Sequence, residues 1–374
     1  MAKLMVWMNG ERTGTLTQHH SGALSFQYDE SWLRHPLARP VSLSLPLQRA
    51  VMHSAKVAYF FENILLSSLL IKKDIYTASP IKSCDVFGLL QKVGHQLSGA
   101  LTLLPVRRQP VTPDSAIYRV ESAAEATQQS DLDNRYLCLA LARELNIPVP
   151  DVALFYEDGV RKLRTERYDR RWRSDKKHLY YLPEEDLCQA LGLPASARYE
   201  QQGGPGLHDS MALLMGSSSA MKDREDLMRC LVFQWLIGAT RVHGKKLSLL
   251  IARGGSFRLA PFAHLLSACP ALSQRRTDRR DFQLAMGVIG PEGKQHHIDL
   301  IWPHHFIASA RSVGFSQAKM QQILTAFIAD LPAAIVKVRD SLPNDYPLEI
   351  ADAIFSHAMI MLERVRQPAN ATEF

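Results

Sequence analysis

The sequence predicts an α+β protein in which a small antiparallel-sheet unit precedes a mainly helical remainder. Near the start, Met5–Met8 and Arg12–Leu16 flank Asn9-Gly10, a dipeptide that supplies the two positive φ angles of a tight hairpin. Later in the chain, apolar residues recur at helical spacing, which is typical of helices packed on a core rather than of a cofactor site. These stripes comprise Leu227, Met228, Leu231, Val232, Trp235 and Leu236; Met320, Ile323, Leu324, Phe327 and Leu331; and Ile350, Ile354, Leu362 and Val365.

The composition is that of an ordinary folded protein of two or three structural units. The chain has 374 residues, of which 46% are hydrophobic and 22% charged, and this excludes a disordered, collagen-like or coiled-coil protein. Forty-four Lys and Arg residues against 37 Asp and Glu give a net charge of +7. That excess permits an acidic or nucleic-acid partner but does not require one.

Hydropathy and cysteine usage predict a cytoplasmic protein without a membrane span. The longest apolar stretch, Ile64–Ile71, is far shorter than the roughly 20 residues that a spanning helix needs. The start of the chain does not have the pattern of a signal or transit peptide. Five dispersed cysteines without a CxxC spacing indicate buried thiols in a reducing compartment, namely Cys84, Cys138, Cys188, Cys230 and Cys269.

The first 105 residues are predicted to form the α+β unit. Leu24–Tyr28 and Val41–Leu45 both alternate apolar and polar side chains, the period-2 pattern of half-buried strands. Residues 55–72 have a helical pattern, and Gly94–Leu104 returns to the pattern of a sheet. The polar stretch that follows, residues 106–130, has little apolar patterning and is interpreted as a linker.

The remainder begins with a well-delimited helix. Asp131 or Asp133 can cap its start, and Asn146 followed by Pro148 ends it. A second hairpin is predicted around Asp158-Gly159, and the chain after it is mainly helical. One strand pair, residues 247–251 and 256–259, interrupts the helices.

Several common catalytic signatures are absent from the sequence. It contains no GxGxxG after a strand, no GxxxxGK[ST] and no GxSxG, and Gly203-Gly204-Pro205-Gly206 has the composition of a turn. Three adjacent histidine pairs occur, but neighbours in sequence point apart, so we expect surface histidines and no metal site. The pairs are His19-His20, His296-His297 and His304-His305.

Two clusters of basic residues leave their role open. Residues 161–177 contain nine Arg and Lys residues and three acidic ones, and Arg275, Arg276, Arg279 and Arg280 form the second cluster. A solvated basic face is the simpler interpretation, and contact with nucleic acid or an acidic partner is the alternative.

Two loops flank the strand pair in the helical part. Residues 240–248 precede the first strand, and Leu259–His264 follows the second. Kinases place their catalytic and metal-binding loops in this loop-strand-turn-strand-loop arrangement.

Together with other segments, these loops make the sequence similar to the HipA family, the Ser/Thr kinase toxins of bacterial toxin–antitoxin pairs. The similarity extends over residues 1–105 and 131–374. The segments that carry it are Trp7-Met8-Asn9, Ala38–Arg49, Glu166–Trp172, Leu182–Gln189, Gly203–Gly206, Phe233–Thr240 and Leu284–Gly287.

The resemblance implies a HipA-like kinase fold. Residues 1–105 would form the small N-terminal subdomain, and 131–374 the kinase-like core, with a hinge hairpin at 152–168 and a helical C-lobe at 178–374. Residues 106–130 would replace most of the phosphate-binding part of the N-lobe.

The chain departs from the family pattern at the positions that carry the chemistry. By the resemblance, Arg241 occupies the position of the catalytic base, and Lys246 and His264 occupy the positions of the two metal ligands. All three positions are degenerate, because none has the family's residue. His243 and Lys245 keep the family's residue types.

The nucleotide-binding part is reduced as well. The hinge that receives adenine corresponds to Glu166, Arg167 and Tyr168, which are retained. Residues 106–130 are several tens of residues too short for the family's phosphate loop and contain no lysine for the ATP-contacting position. The family's glutamate in the following helix is replaced by Arg135.

These replacements predict a pseudokinase. Arg241 and Lys246 are cationic near neutral pH, so neither is a base or a ligand for a hard cation. Phosphoryl transfer depends on positioning and metal electrostatics, so no Mg-ATP cofactor is expected, although the family uses it. In an alternative to a cleft without function, phosphates are bound without a metal by Arg241, Lys245 and Lys246.

The expected partner is a HipB-like helix-turn-helix antitoxin, with operator DNA reached through that partner or through the basic clusters. The alternative function is an active ATP-dependent Ser/Thr kinase toxin that arrests growth by phosphorylating a translation factor such as an aminoacyl-tRNA synthetase. A third interpretation is a decaying gene product that still folds.

Overall fold

The N-terminal unit is a four-stranded antiparallel sheet covered by three helices. The computed structural model describes residues 1–68, 86–97, 99–110, 116–122, 129–176, 178–290 and 292–367. The strand order is β3-β2-β1-β4. The strands are β1 (Ala2–Met8), β2 (Glu11–Gln18), β3 (Leu24–Tyr28) and β4 (Leu101–Pro105), and the helices are α1 (Glu30–Leu33), α2 (Ala55–Ser67) and α3 (Val86–Val93).

The first hairpin forms where the sequence predicts it. Asn9 and Gly10 have φ angles of 52° and 86°, the left-handed values that the turn requires. Phe26 of β3 and Phe60 and Phe61 of α2 are buried under the sheet. The part of the predicted helix 55–72 beyond residue 68 lies outside the described residues, as does Cys84.

The segment Val41–Leu45 is not the strand that its alternating pattern predicts. Only an isolated bridge joins Ser42 and Leu45, and the backbone between them turns. Pro40 and Pro46 have no N–H to donate to a ladder, and Ser42 hydrogen-bonds across the molecule instead. Serines that alternate with apolar residues give the sequence pattern of a strand, but this segment is a loop whose Ser42 hydrogen-bonds to the distant residue Glu185.

The stretch interpreted as a linker contains a strand. Within 106–130, β5 (Tyr118–Ser122) pairs antiparallel with β7 (Val160–Glu166), which pairs with β6 (Val152–Glu157) in the order β5-β7-β6. Tyr118 and Val120 are exposed, which explains why apolar patterning does not reveal the strand. Helix α4 (Gln129–Glu144) follows and packs against this sheet.

The rest of the chain combines helices with short antiparallel sheets. β10, β11 and β12 form one sheet, β8 pairs with β9, and β13 pairs with β14 in a hairpin that the sequence patterns do not predict. The strands are β8 (Arg170–Trp172), β9 (Leu179–Tyr181), β10 (Glu184–Asp186), β11 (Ser248–Ile251), β12 (Phe257–Leu259), β13 (Gln283–Gly290) and β14 (Gly293–His297). The helices are α5 (Leu187–Leu191), α6 (Leu207–Leu214), α7 (Ala220–Ile237), α8 (Cys269–Ser273), α9 (Pro303–Ser312), α10 (Gln317–Asp340) and α11 (Leu348–Arg366).

The apolar stripes form the larger core. Every residue of the α7 and α10 stripes is buried, and only Val365 of the third stripe is partly exposed. By length and composition alone, α10 could cross a membrane, but its apolar face packs on α4, α9 and α11. The four cysteines among the described residues are free and buried, as predicted.

One of the predicted surface histidines is buried. His305 lies at the start of α9, where its Nδ1 accepts a hydrogen bond from the Trp302 N–H at 2.9 Å. Burial, with a smaller contribution from His304, lowers the pKa of His305 to about 4, so the ring is neutral at physiological pH. It serves as a helix cap rather than as a solvated surface group.

A buried carboxyl group joins the N-terminal unit to the core. Glu185, on β10, is 1% exposed. Its Oε1 accepts a hydrogen bond from the Leu43 N–H at 2.9 Å, and the Ser42 hydroxyl donates to Oε2 at 2.5 Å. Burial raises the pKa of Glu185 to about 8, and neighbouring Asp186 contributes in the same direction. The carboxyl group is therefore protonated in the folded protein at neutral pH.

Glu185→Gln should remove a specific pH dependence of stability. Between the ordinary carboxyl pKa of 4.5 and about 8 the folded state binds one more proton than the unfolded state. Wild-type stability therefore falls as pH rises through this window, by about 1.4 kcal/mol per pH unit for this group, and is level above it. The neutral glutamine amide can accept from Leu43 and donate to Ser42 at every pH.

The measurement is urea unfolding of wild type and Glu185→Gln from pH 4.5 to 9. The difference between their unfolding free energies should shift in favour of the variant as pH rises, and then become constant. Glu363→Gln, on the exposed end of α11, is the control and should run parallel to wild type. Parallel curves for Glu185→Gln as well would contradict a protonated Glu185.

Candidate functional site

The two loops predicted to carry the chemistry lie at the ends of the β10-β11-β12 sheet. The first precedes β11 and contains a tight passage at Gly244, where a Cβ atom would lie 2.3 Å from Cγ of Pro205. The second follows β12, and the Phe262 N–H donates to the carbonyl of Pro148 at 2.8 Å. Asn134 of α4 holds its far end, donating to the Ser267 carbonyl at 2.8 Å and accepting from the Ser267 N–H at 3.0 Å.

Arg241 lines a wide cleft beside the first site loop. The cleft has a volume of about 870 Å³ and lies between the start of α4, the loop at 199–202, the two site loops and the chain leading into β13. Arg241 is exposed in its wall, with Asp131, Asp281 and Thr240 among the other polar lining groups. Of the predicted catalytic and metal-ligand positions, only Arg241 faces this cleft.

His243 is held as a neutral ring. Its imidazole packs edge-on against Tyr199, with 4.6 Å between ring centroids, and its Nδ1 accepts from the Lys245 N–H at 3.3 Å. Burial lowers the pKa of His243 to about 3, and the cations of Lys246 and Arg198 act in the same direction. At neutral pH the ring therefore carries no charge, and it shapes the loop.

Lys245 is a structural cation rather than a phosphate-binding one. Its ammonium group pairs with Asp186 at 2.7 Å and donates to the side-chain oxygen of Asn63 on α2. The Lys245 and Asp186 side chains are 13% and 7% exposed. Asp186 in turn caps α5, accepting from the Gln189 N–H at 3.0 Å. The alternative in which Lys245 holds phosphates would require breaking this arrangement.

The two metal-ligand positions lie in a basic environment. His264 is half-buried, and burial lowers its pKa well below the usual value. The next largest causes are the cations Lys246, Arg135 and Arg119, followed by His243. Lys246 and His243 therefore lie near enough to His264 to act on its pKa, and so do two arginines that motif reasoning did not place at the site.

An ion-pair network of inverted polarity joins the strand and helix above these loops. Glu121 on β5 pairs with Arg135 on α4 and with Arg119 on its own strand, the latter at 2.9 Å. In protein kinases the corresponding pair is a lysine on the strand and a glutamate on the helix. Here the acidic residue is on the strand and the basic residue is on the helix. The salt bridge therefore still connects the two elements, although no lysine is present to contact ATP.

The hinge residues are engaged within the protein. The Glu166 N–H donates to the Asp151 carbonyl at 2.7 Å, and the Arg167 N–H donates to the Ile117 carbonyl at 2.8 Å. The Tyr168 hydroxyl donates to Glu184 of β10 at 2.6 Å. Both N–H groups are therefore already hydrogen-bonded within the protein. Neither can donate to an adenine ring in this arrangement, so the hinge is less accessible to adenine than its sequence suggests.

This site does not fit magnesium-bound ATP. Mg²⁺ prefers carboxylate and other oxygen ligands in octahedral geometry. Among the described residues, no group of three or more His, Cys, Asp or Glu side chains could hold a metal ion. Lys246, Arg119 and Arg135 place positive charge around His264, where a divalent cation would be repelled.

Four of the nine basic residues in the stretch 161–177 pair with carboxylates within the protein: Arg161, Lys162, Arg167 and Arg170. Arg161 binds Asp133 at 2.8 Å and Asp345 at 3.1 Å, and Arg170 pairs with Asp169 and lies over the Tyr181 ring. In the second cluster, Arg279 binds Asp299 and Arg280 binds Asp278, each at 2.7 Å. These salt bridges therefore compensate part of the positive charge of the two clusters within the protein.

The sheet β5-β7-β6, the hinge and the paired site loops define a protein with a kinase-like fold. The sequence profile of the HipA N-terminal domain matches residues 4–104, and that of the HipA-like C-terminal domain matches residues 88–335. The chain belongs to the HipA family, as the sequence motifs predicted. It is a toxin–antitoxin protein with an α+β kinase fold of the HipA type.

Known relatives agree with this assignment. A putative kinase of Sinorhizobium fredii, Y4mE, is 27% identical over 357 residues, covering 78% of this chain and 84% of that protein. The Ser/Thr-protein kinase toxin HipA of Shewanella oneidensis is 22% identical over 426 aligned positions, covering 93% of this chain and 94% of that protein. Because the alignment has 426 positions and this chain has 374 residues, some of the gaps in the alignment lie in the sequence of this chain.

A solved structure shares the fold. In a complex of HipA, HipB and operator DNA from Shewanella oneidensis, the matching chain superimposes with a TM-score of 0.78 at 19% identity. The match covers 97% of this chain and 96% of that one.

Sequence reasoning missed the residues that hold the site in place. Glu185, Asp186, Asn63 and Glu121 are polar residues whose partners lie on distant elements, and motif searches for catalytic spacing do not select them. Glu185 and Asp186 do occur within Leu182–Gln189, one of the segments that carries the family resemblance. The sequence signal that could have identified these two residues is a pair of adjacent acidic residues directly before the start of α5.

Replacing Lys245 should destabilise the protein. Lys245→Ala leaves Asp186 buried without its countercharge, and breaking a buried pair costs about 3 kcal/mol. Lys222→Ala is the matched control because Lys222 also pairs with an aspartate, Asp226, but is 65% exposed and should cost less than about 1 kcal/mol. Both values are measured by urea unfolding.

The double variant Asp186→Asn/Lys245→Ala separates the charge from the cap. Asparagine caps helices about as well as aspartate, and it carries no charge to leave unpaired. The double variant should therefore recover part of the stability that Lys245→Ala loses. Equal stability of Lys245→Ala and wild type would show that Lys245 is not the structural cation described above.

Proposed function

We propose that this HipA family member is catalytically inactive and acts by binding a HipB-like helix-turn-helix protein. The observation that carries the proposal is the charge at the site: the base and metal-ligand positions are Arg241, Lys246 and His264. Arg119 and Arg135 add to the positive potential around His264. An arginine is never a base at physiological pH, and a site of this sign opposes Mg²⁺ rather than collecting it.

The choice of partner is supported by the intact packing of the remaining structure. The N-terminal sheet, the junction at Glu185 and the helical core are closely packed although the chemistry is lost. A protein that acts by binding needs its surfaces and not its cleft. The solved Shewanella complex contains a HipA, a HipB and operator DNA, and we infer the same class of partner here.

Contact with operator DNA is proposed to occur through that partner. Carboxylate partners within the protein bind four of the nine basic residues of the stretch 161–177 and both members of the Arg279–Arg280 pair, which reduces what these six offer to phosphates. We also propose a cytoplasmic location, which this role and the four buried free thiols support.

Calorimetric and thermal-shift titrations with ATP, with and without Mg²⁺, test the inactive site. A ligand that binds only the folded state adds about 2.7 kcal/mol of stability at a hundredfold excess over its Kd. We expect no magnesium-dependent shift at millimolar ATP, and no difference between wild type and Arg241→Ala. A magnesium-dependent shift, with transfer of labelled γ-phosphate to protein, would instead identify an active Ser/Thr kinase toxin.

Binding to a purified HipB-like helix-turn-helix protein from the same organism tests the partner. The two purified proteins should form a stable complex in sedimentation experiments, with the same affinity in the presence and absence of ATP. Arg241→Ala should bind equally well, since the cleft is not needed. If this protein remains a monomer when it is mixed with the HipB-like protein, the proposal is contradicted.

A further inference from the structure

A second pocket lies between the helices α8 and α11. This α8–α11 pocket has a volume of about 450 Å³, which is within the range of roughly 300–1,000 Å³ that is typical of small-molecule sites. Its walls are α8, the loop at 275–279, Phe282, Asp299 and α11. Of the residues that line it, only Thr277 also lines the cleft at Arg241.

One face of α11 forms the longest wall of the pocket. Six of its residues take part, at the spacing i, i+3, i+4, i+7, i+8 and i+11 that places side chains on one face of a helix. They are Ala353, Ser356, His357, Ile360, Met361 and Arg364. The Ile360 side chain is 59% exposed although it is apolar. Part of this helix face is therefore left uncovered by the protein and is available to a ligand.

The apolar part of the lining includes an aromatic ring. Phe282 and Leu272 face Ile360 and Met361 across the pocket. The Phe282 ring also meets the His357 ring edge to face, with 5.3 Å between the centroids. A flat apolar group can therefore pack between the aromatic side and the aliphatic side of the pocket.

The charged part of the lining is unbalanced. Three arginines, Arg275, Arg279 and Arg364, stand against the single carboxylate of Asp299. That carboxylate is already occupied, since it accepts from Nε and Nη2 of Arg279 at 2.7 and 2.9 Å. Arg364 donates to the main-chain carbonyl of Asp299 at 2.7 Å. Within the described residues, neither Arg275 nor Arg364 pairs with a carboxylate.

Arg275 occupies an unusual backbone conformation. Its φ angle is 54°, in the left-handed region. The Arg275 N–H donates to the Leu272 carbonyl at 3.0 Å, and the Arg276 N–H donates to the Ala271 carbonyl at 2.8 Å. These are the two bonds of a helix C-cap in which glycine is the usual residue. An arginine is unfavourable there because of its Cβ atom, so its side chain is the reason to look for a function.

His357 brings an unsatisfied acceptor to the pocket. Burial lowers its pKa to about 4, so the ring is neutral at physiological pH. A hydrogen bond to the Trp235 main chain raises that pKa slightly, as expected when a ring N–H donates to a carbonyl oxygen. The other ring nitrogen, Nε2, is buried and has no hydrogen-bond partner among the residues that the structure describes. A buried acceptor without a donor is costly, and an O–H group of a ligand would remove that cost.

We propose that the α8–α11 pocket binds a small aromatic monocarboxylate that carries a hydroxyl group. The carboxylate binds Arg275 and Arg364, the ring packs against Phe282 and Ile360, and the hydroxyl donates to Nε2 of His357. Guanidinium groups hold carboxylates through paired N–H donors, which gives both affinity and orientation. This site goes beyond the proposed function and does not depend on it.

The positions of the polar groups favour a ligand with its substituents at opposite ends. His357 and Arg364 are seven residues apart on α11, which corresponds to about 10 Å along the helix. A benzene ring with a hydroxyl at one end and a carboxylate arm at the other spans most of this distance. The flexible arginine side chains cover the rest.

A carboxylate suits this pocket better than a phosphate monoester does. The Asp299 carboxylate remains in the wall, and it repels a dianion more strongly than a monoanion. His357 is neutral and adds no positive charge that would compensate for the second negative charge. The pocket therefore favours a ligand with a single negative charge.

The test is isothermal titration calorimetry of the full-length protein with five probes. 4-Hydroxyphenylacetate has all the proposed features, phenylacetate lacks the hydroxyl, and acetate lacks the ring. Tyramine has an ammonium group in place of the carboxylate, and phenyl phosphate replaces the carboxylate with a dianion. 4-Hydroxyphenylacetate should bind with a Kd below about 1 mM, and phenylacetate about tenfold more weakly. Acetate and tyramine should give no measurable binding.

Arg275→Asn and Arg280→Asn form a matched pair of variants. Each removes one positive charge from the same exposed loop, but only Arg275 lines the pocket. Asparagine adopts the left-handed conformation readily, so Arg275→Asn keeps the turn. Affinity for 4-hydroxyphenylacetate should fall about tenfold in Arg275→Asn and change less than about twofold in Arg280→Asn. Circular dichroism of each variant checks that it remains folded.

Two further variants separate ligand binding from a structural role. Arg275→Gly removes the Cβ atom from the left-handed position, so its melting temperature should not fall, while its affinity for 4-hydroxyphenylacetate should fall as in Arg275→Asn. His357→Phe keeps a ring beside Phe282 but has no acceptor. In this variant 4-hydroxyphenylacetate and phenylacetate should bind equally well.

Four outcomes would overturn the proposal. Equal loss of affinity in Arg275→Asn and Arg280→Asn would indicate attraction to the net charge of the protein rather than a site. Tighter binding of phenyl phosphate than of 4-hydroxyphenylacetate would make the pocket a phosphate site. Binding of tyramine as tight as that of the acid would exclude the arginines from recognition. Absence of 4-hydroxyphenylacetate binding at about 1 mM, the weak limit of specific recognition, would leave the pocket without this ligand.

Discussion

A buried carboxyl group at position 185 is the constraint around which the two halves of the protein are organised. An isolated buried acid is costly unless its oxygens are hydrogen-bonded. The partners come from the segment Val41–Leu45, which belongs to the N-terminal unit. The next residue, Asp186, caps α5 and receives Lys245, so the same short strand β10 also fixes the loop that carries His243. The position of the site loops therefore depends on the N-terminal unit being docked.

The fold of this family is retained here although Arg241, Lys246 and His264 occupy the positions that the resemblance assigns to the base and the metal ligands. Glu121 and Arg135 connect strand and helix with the charges exchanged relative to a kinase, and Lys245 serves as a tie between β10 and α2. The first interaction needs only opposite charges at the right separation, whereas Lys245 pairs with the Asp186 carboxylate and donates to the neutral amide of Asn63. Packing of α7, α10 and α11 is equally independent of the cleft. Packing and these contacts therefore hold the fold together independently of the residues in the cleft.

Local signals were readable from the sequence, whereas long-range polar partners were not. The turn at Asn9-Gly10, the helix ending before Pro148 and the stripe on α7 follow from neighbouring residues, and the structure confirms them. The segment Val41–Leu45 imitates a strand because its serines alternate, yet Ser42 bonds to a residue 143 positions away. Strand β5 was hidden because its outer face is exposed on an edge, where periodicity carries little information. Family resemblance identified where His243, Lys246 and His264 meet, but not which cations would surround them.

The contacts at the junction also have a consequence for the order of synthesis. Asn9, Leu43 and Asn63 bond to residues 172, 142 and 182 positions later in the chain. At ribosomal rates of about 5–20 residues per second, the N-terminal sheet, complete at β4, can close roughly 4–30 s before its docking partners have been translated. During that interval the turn around Ser42 has water, and not Glu185, as its hydrogen-bonding partner. The nascent N-terminal unit must therefore remain soluble with this surface uncovered until β10 and the loop at Lys245 leave the ribosome.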